Sequence, residues 1–263
     1  MKENKAHSVK LACDDKGTGE AVVLLHGYPF KRAMWRGQVT ALMAKYRVIT
    51  PDLRGLGASP VAETATMAEM ARDVAALLDE LEIARAVIGG LSLGGYVALE
   101  FARLFPQRAR ALILADTKAN ADTAEARAGR EKHAQLILAA GMAAMVEDFL
   151  PKMVVPRVFT KQPEVVAQIR EMILDAKPQG AAAAQRGMAA RRNHLDYLPQ
   201  ITVPTLIIVG SEDIPTPVTE SELMHAALPD SRLIVFQGAG HLTNLDRPEE
   251  FNAALMKFLR EIV

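Results

Sequence analysis

A serine lies at the centre of the segment Gly90-Leu91-Ser92-Leu93-Gly94, between a short apolar run and a helical stretch that ends near Phe105. In a G-x-S-x-G segment of this kind, the glycines let a strand turn sharply into a helix and lift the serine hydroxyl above the sheet. Such a hydroxyl can attack a carbonyl carbon and form a covalent acyl intermediate. The alternative is an ordinary turn, but the flanking strand and helix favour a nucleophile. Ser92 is therefore the candidate nucleophile.

A serine hydroxyl needs a base to remove its proton, and the base needs a carboxylate to orient it. Two later residues have this chemistry, and each follows an apolar run: Asp213 after Val203–Gly210, and His241 after Ser231–Gln237. The order serine, aspartate, histidine is expected when the nucleophile lies on a strand-to-helix turn. We therefore predict that Ser92, Asp213 and His241 are the catalytic residues.

The identity of the acid has alternatives. Asp116 also follows an apolar run, and Glu212 is adjacent to Asp213. A loop aspartate is often only a helix cap, but Thr216 is better placed to cap a helix that starts at Pro217. The sequence therefore favours the catalytic role for Asp213.

Acyl transfer also needs hydrogen-bond donors for the negative oxygen of the tetrahedral intermediate. The backbone N–H of Leu93 is one candidate, because it begins the helix after the nucleophile and the helix dipole adds to it. The backbone N–H of Tyr28 is the other, since His26-Gly27-Tyr28-Pro29 follows the first buried run. We expect His26 to shape this loop rather than to transfer protons.

These residues must be positioned by a sheet. Six apolar runs rich in Val, Ile and Leu are typical of buried strands. They are Ala21–His26, Tyr46–Thr50, Arg85–Gly89, Ala109–Ala115, Val203–Gly210 and Ser231–Gln237. Helical patterns lie between them, and one begins with a capping box formed by Thr66 and Glu69. This alternation predicts an α/β fold, with a mostly parallel sheet covered by helices on both faces.

The alternation is interrupted between about Lys118 and Tyr197, where only Ala- and Met-rich helical stretches occur. We predict a core formed by residues 1–117 and 198–263, with residues 118–197 inserted as a helical cap. Flexible methionine side chains can fit acyl chains of varied shape, although each could simply pack the cap. The candidate substrate-binding residues are Trp35, Met142, Met145 and His194.

Composition restricts the class of protein. Thirty-one basic residues balance 31 acidic ones, so no net charge attracts nucleic acid or an anionic membrane. The single cysteine cannot form an intrachain disulfide. No signal-peptide pattern begins the sequence, and the longest apolar run, Leu136–Val146, is too short to span a bilayer. We expect a cytoplasmic protein that acts on a small molecule without a metal or cofactor.

The motifs together resemble the α/β-hydrolase superfamily, in its capped, enol-lactonase- and esterase-like branch. The matching segments are His26–Pro29, Asp52–Ser59, Gly90–Gly95, Pro204–Gly210 with Asp213, and Gly240-His241. The resemblance implies an eight-stranded, mostly parallel sheet and a cap that covers the nucleophile. Serine at the turn differs from the aspartate of related dehalogenases and epoxide hydrolases. Pro29 is similar to the corresponding loop residue of cofactor-free perhydrolases, which often carry methionine at the position of Leu93.

The function predicted first is hydrolysis of carboxylic esters or lactones through an acyl-enzyme. A perhydrolase that uses peroxide in place of water, or a lactonase for enol-lactones or acyl-homoserine lactones, is the alternative of the same class. A ligand receptor that retains the fold without catalysis is the alternative from another class. The cap composition favours short or medium acyl substrates over charged ones. Arg191 or Arg192 could bind a substrate carboxylate, but exposed salt bridges are the role we expect for them.

Overall fold

The computed structural model describes residues 8–262, and these contain one seven-stranded sheet. The strands are β1 (Cys13–Lys16), β2 (Ala21–Leu25), β3 (Arg47–Pro51), β4 (Ala86–Leu91), β5 (Ala109–Ala115), β6 (Thr205–Gly210) and β7 (Ser231–Phe236). Their spatial order is β1-β3-β2-β4-β5-β6-β7, and every neighbouring pair is parallel except β1 with β3. All six predicted strands are confirmed, with ends within two residues of the apolar runs.

The number of strands differs from the eight that the resemblance implies. Before Ala21, the described residues form only β1, a four-residue antiparallel edge strand with the sequence Cys-Asp-Asp-Lys. Charged side chains are typical of exposed sheet edges, where they discourage pairing with another chain. The positive φ angles of Gly17 and Gly19 turn the chain directly from β1 to β2. Only one strand therefore precedes the buried part of the sheet in residues 8–262.

Helices cover the sheet and form the segment between β5 and β6. They are α1 (Arg36–Leu42), α2 (Met67–Glu80), α3 (Leu93–Leu104), α4 (Ala124–Ala140), α5 (Ala143–Met153), α6 (Pro156–Lys161), α7 (Pro163–Leu174), α8 (Pro178–Ala189), α9 (Val218–Ala227), α10 (Thr243–Asp246) and α11 (Pro248–Ile262), with 3₁₀ turns at Arg32–Trp35 and Leu195–Gln200. Helix α2 packs against α3, and α1 packs against α11. The capping box of α2 is confirmed, because Thr66 and Glu69 each bind the other's backbone N–H. None of the helices in residues 8–262 has the length and apolar character needed to cross a membrane.

The direction in which strands are added to the sheet reverses at β2, near the centre of the sheet. From β2 the chain passes to β3 on one side, and it then returns across β2 to form β4 on the other side. In open α/β sheets, ligands bind outside the carboxyl ends of the strands where the strand order reverses in this way. The loop after β2 and the turn after β4 both begin at this edge, and these segments contain Tyr28 and Ser92.

Residues 116–204 form no strand, and the five helices α4 to α8 lie within them. Helix α8 packs against α4 and also approaches the backbone of the loop before α2. Gly187 permits this approach, because a Cβ atom added there would lie 1.8 Å from the Ala65 carbonyl oxygen. The helical segment is thus fixed against the loops at the carboxyl edge of the sheet.

Candidate active site

Ser92 occupies a strained turn between β4 and α3. Its φ of 54° and ψ of −111° lie in a region that side-chain-bearing residues rarely adopt, and its N–H donates to the Ala115 carbonyl oxygen (2.9 Å). Gly94 allows the turn to lie against β2, because any side chain at this position would clash with that strand. A Cβ atom added to Gly94 would lie 2.1 Å from the Leu25 carbonyl oxygen. Strain of this kind costs about 1–3 kcal/mol and persists only where the surrounding structure enforces it. The sharp strand-to-helix turn predicted from the G-x-S-x-G segment is confirmed, with Ser92 between β4 and α3.

His241 is paired with Asp213. The histidine Nδ1 lies 2.9 Å from each carboxylate oxygen of Asp213, and both side chains are buried. Because a carboxylate only accepts hydrogen bonds, Nδ1 carries the proton and Nε2 remains free to accept one. The pair has the arrangement of an oriented base.

The Asp213 carboxylate is itself held by Thr216. The Thr216 N–H donates to one oxygen (2.9 Å) and its hydroxyl donates to the other (2.6 Å). The prediction that Thr216 caps the next helix is therefore wrong. That helix begins at Val218 with Pro217 as its N-cap residue and without a side-chain cap. The hydroxyl donates instead to the carboxylate that contacts His241.

Asp116, the alternative acid, binds other groups. Its carboxylate accepts hydrogen bonds from the Gly210 N–H (3.1 Å), the Thr243 N–H (3.3 Å) and the Thr243 hydroxyl (2.5 Å). Burial, and then the nearby Asp213 carboxylate, raise the pKa of Asp116 well above its usual range. Asp116 thus ties the end of β6 to the start of α10, whereas Asp213 contacts the histidine.

Ser92 and His241 line the same cavity, which has a volume of about 320 Å³. Much of its remaining wall is apolar or aromatic, and these residues are Tyr28, Tyr96, Ala126, Phe149, Met153, Met188, Ile214 and Pro215. Gly129 and a set of charged and polar side chains complete it, and these side chains are Lys118, Asp122, Arg130, His133, Asp148, Lys152 and Gln185. Among residues 8–262, no group of three or more His, Cys, Asp or Glu side chains could hold a metal ion.

The two backbone N–H groups predicted to bind an oxyanion lie at this edge of the sheet. Leu93 is the first residue of α3, and neither its N–H nor that of Tyr28 has an acceptor within the described chain. His26 stabilises the loop that contains Tyr28, because its Nε2 accepts from the Leu53 N–H (2.9 Å) and its Nδ1 lies 2.9 Å from the Gly27 carbonyl oxygen. Burial lowers the pKa of His26, which favours this neutral, structural form.

Comparison with known proteins identifies the family. The family model described as "alpha/beta hydrolase fold" matches residues 20–248. The chain belongs to the α/β-hydrolase family. It is 31% identical to 3-oxoadipate enol-lactonase 1 of Acinetobacter baylyi over 242 residues, which cover 92% of this chain and 89% of the enol-lactonase.

Two solved structures of hydrolase-fold proteins illustrate the similarity. This α/β-hydrolase superposes on a thermophilic esterase from Thermogutta terrifontis with a TM-score of 0.94 and 42% identity, covering 96% of this chain and 93% of the esterase. The bromoperoxidase from Bacillus anthracis matches with a TM-score of 0.86 and 26% identity, and 96% of each chain is covered. The predicted esterase- and enol-lactonase-like branch is therefore confirmed.

None of the four side chains predicted to bind substrate in this α/β-hydrolase lines the cavity, although Met145 contacts the wall residue Tyr28. Its sulfur accepts a hydrogen bond from the Tyr28 hydroxyl (3.9 Å). Trp35 instead packs on Phe251 in the core under α11, with ring centroids 6.0 Å apart. Met142 is buried at the start of α5 and is not part of the wall. These placements correct the predictions for Trp35 and Met142, whose apolar side chains are used for packing.

His194 is likewise not among the residues that line the cavity, which corrects the prediction that it contacts substrate. Its Nε2 is 3.0 Å from Glu100 on α3, and both side chains are buried. Arg103 forms a second ion pair with the same carboxylate (2.7 Å). Burial alone would raise the pKa of Glu100, but the hydrogen bonds from His194 and Arg103 outweigh burial and lower the pKa to about 2. The histidine thus links the end of the helical segment to the core.

The lowered pKa of Glu100 predicts a pH-dependent contribution to stability. Ionised Glu100 should stabilise the fold above about pH 4.5, its ordinary pKa, and this contribution should be lost as the pH falls toward 2. We expect Glu100→Gln to lower the free energy of unfolding most near neutral pH, with the difference from the wild type shrinking below about pH 4.5. Urea unfolding from pH 7 to pH 3 measures the free energy of unfolding of the wild type and of the variant. Glu164→Gln is the control, because Glu164 is exposed. A difference that is constant over this range would contradict the assignment.

The two arginines considered as carboxylate ligands have different environments. Arg192 is exposed. Arg191 is buried, with Nη2 2.7 Å from an Asp122 oxygen and its guanidinium carbon 4.4 Å from the centre of the Tyr96 ring. The prediction of an exposed salt bridge is therefore wrong for Arg191, because its guanidinium forms a buried ion pair with Asp122 and contacts the Tyr96 ring.

Several cavity residues were not found from the sequence. Tyr96 follows Ser92 by one helical turn, and Ile214 directly follows Asp213, so their positions alone could have suggested them. Arg130, Phe149 and Gln185 lie on three different helices of the segment between β5 and β6. Only the packing of those helices brings the three side chains to the cavity that contains Ser92. No local sequence pattern predicts that packing.

Proposed function

We propose that this α/β-hydrolase cleaves carboxylic esters or lactones through an acyl-enzyme. Ser92 is the nucleophile, His241 the general base and acid, and Asp213 the carboxylate that orients the histidine. The observation that carries the proposal is that strained Ser92 shares a cavity with a histidine whose Nδ1 is bound to a buried carboxylate. The similarity to an enol-lactonase and an esterase supports the same substrate classes.

The proposed reaction follows from these positions. Nε2 of His241 accepts the hydroxyl proton while Ser92 Oγ attacks the carbonyl carbon, and the N–H groups of Leu93 and Tyr28 stabilise the resulting oxyanion. The histidine then donates the proton to the departing alcohol oxygen, which leaves the acyl group on Ser92. Water, deprotonated by the same histidine, releases the acid. Asp213 stabilises the imidazolium in each half-reaction.

We further propose that residues 118–197 act as the cap over this site. Helices α4, α5 and α8 of that segment supply Arg130, Phe149 and Gln185 to the cavity wall. A cap that excludes water strengthens the electrostatic interactions inside the site. It also limits the length of the acyl chain, because the cavity volume of about 320 Å³ is near the lower end of the range for ligand pockets.

A series of 4-nitrophenyl esters from acetate to palmitate, run beside a neutral lactone, tests the proposal. We expect kcat/KM to rise by up to about fourfold for each added methylene, which corresponds to about 0.8 kcal/mol of apolar burial, until the cavity is full. It should then fall, and palmitate should be a poor substrate. A maximum at palmitate would contradict a cavity of about 320 Å³ that limits the acyl chain.

The same series distinguishes an enzyme from a ligand receptor. Tight binding of an ester or lactone without turnover of any member would favour the receptor. The strained serine and the paired histidine argue against it, because binding alone requires neither.

A perhydrolase is the second candidate, since a bromoperoxidase is among the similar structures and Pro29 follows the proposed oxyanion residue Tyr28. In that reaction hydrogen peroxide replaces water in attacking the acyl-enzyme and yields a peracid. Bromination of monochlorodimedone in the presence of acetate, peroxide and bromide detects the peracid. A rate above that of the Ser92→Ala variant would support this second activity.

A further inference from the structure

The cavity wall contains one lysine that is not balanced by an acid. Five wall residues are lysine, arginine or aspartate, and four of them form pairs: Arg130 with Asp122, and Lys152 with Asp148, whose two oxygens each lie 2.8 Å from the ammonium. Lys118 has no hydrogen-bond acceptor or carboxylate partner within residues 8–262. The wall therefore has an excess of one positive charge.

The acids near Lys118 are already engaged. Asp122 is shared by two guanidinium groups, those of Arg130 and Arg191. Glu220 accepts a hydrogen bond of 2.6 Å from the Asn120 side chain. Two positive charges on one carboxylate leave this region electropositive, so an anion that enters the cavity would be attracted rather than repelled.

Lys118 is also near the nucleophile in the fold, because both side chains line the same cavity. The hydroxyl of its neighbour Thr117 donates to the Ser92 carbonyl oxygen (2.8 Å), which joins the two segments at the carboxyl edge of the sheet. The Lys118 side chain is half-buried, and burial followed by the charge of Arg191 lowers its pKa. A partly desolvated ammonium without a partner is costly, and a bound anion would remove that cost.

We propose that Lys118 binds a carboxylate carried by the substrate, so that the preferred substrates are esters or lactones with a free acid group. The proposal rests on the ester or lactone hydrolysis proposed above and specifies its substrate class. It replaces the expectation from the cap composition that charged substrates are disfavoured. The apolar wall accommodates the carbon chain, and the ammonium binds the terminal carboxylate by a charge-assisted hydrogen bond.

Matched ester pairs test the role of Lys118. Mono-4-nitrophenyl adipate and 4-nitrophenyl hexanoate differ only in whether the six-carbon acyl chain ends in a carboxylate or a methyl group. A second pair, 4-acetoxybenzoate and 4-acetoxybenzamide, places the carboxylate on the leaving group instead. For each pair the measured quantity is the ratio of kcat/KM for the anionic ester to that for the neutral ester.

We expect Lys118→Met to lower this ratio at least tenfold in one of the two pairs, and the affected pair shows on which side of the scissile bond the carboxylate lies. Lys118→Arg retains the charge and should restore most of the ratio. Lys132→Met is the matched control, because Lys132 is an exposed lysine on α4 outside the cavity wall, and its removal changes the net charge equally. Its ratios should stay within twofold of the wild type.

The outcomes separate the two proposals. If the wild type hydrolyses neutral esters but Lys118→Met changes neither ratio more than twofold, the carboxylate role of Lys118 is wrong while ester hydrolysis stands. If no ester is hydrolysed, ester hydrolysis itself fails. Binding then gives an independent readout, since saturating adipate should raise the Tm of the wild type more than that of Lys118→Met. Equal shifts in both proteins would overturn the role of Lys118.

Discussion

Replacing Ser92 with alanine should lower kcat for ester hydrolysis by about 10⁴- to 10⁶-fold, because the variant cannot form the acyl-enzyme. The residual rate would come from water attack on an ester that is still bound beside the N–H groups of Leu93 and Tyr28. Alanine occupies the same strained backbone position, so the Tm should change little. Steady-state kinetics with a 4-nitrophenyl ester and thermal unfolding of the same preparation measure the two effects.

Ser221→Ala is a suitable control for this experiment. The Ser221 hydroxyl on α9 is buried, lies outside the cavity wall and has no hydrogen-bond partner within the described residues. Its removal should leave kcat unchanged and should not destabilise the fold. Ser92→Ala activity within tenfold of the wild type, after exclusion of contaminating esterases, would show that the nucleophile is another residue.

The strands that position Ser92 were predictable because they are buried on both faces. All five residues of β2 and all six of β4 are buried, so each strand is a continuous apolar run in the sequence. Strand β1 was not predictable in this way. It lies at the sheet edge with no buried residue, and its charged sequence resembles that of a loop. A continuous apolar run predicts a buried strand, and it is absent from a strand that is exposed.

The candidate catalytic residues were also accessible from the sequence, since the carboxyl ends of parallel strands meet at one edge. Ser92, Asp213 and His241 each follow a strand, and the fold brings them together. The substrate-contacting residues were not accessible. Trp35 and Met142 have the right chemistry but pack in the interior, whereas the charged wall residue Arg130 is positioned by contacts within the helical segment between β5 and β6.

Asp213→Asn should lower kcat by about 10⁴-fold. The carboxylate accepts the Nδ1–H hydrogen bond of His241 at 2.9 Å, which leaves Nε2 to act as the base. An asparagine amide can donate to Nδ1 instead, which would place the proton on Nε2 and remove the base. It also lacks the negative charge that stabilises the imidazolium. Thr216 donates to both carboxylate oxygens of Asp213, through its N–H and its hydroxyl. Asparagine has only one side-chain oxygen, so it can accept only one of these two hydrogen bonds.

Asp116→Asn is the matched comparison, and we expect it to change kcat by less than about tenfold because Asp116 binds Gly210 and Thr243 rather than the histidine. The raised pKa of Asp116 favours its uncharged acid form, and an asparagine amide resembles that form. An amide is a poorer substitute for the charged carboxylate that the proposed mechanism requires at Asp213. The main effect of Asp116→Asn should therefore be a lower Tm, from the altered contact between β6 and α10. Steady-state kinetics and thermal unfolding of the two variants give the ranking. If Asp116→Asn were the more damaging to kcat while both proteins remained folded, the acid that acts on His241 would have to be Asp116, reached through a different arrangement of the carboxyl edge.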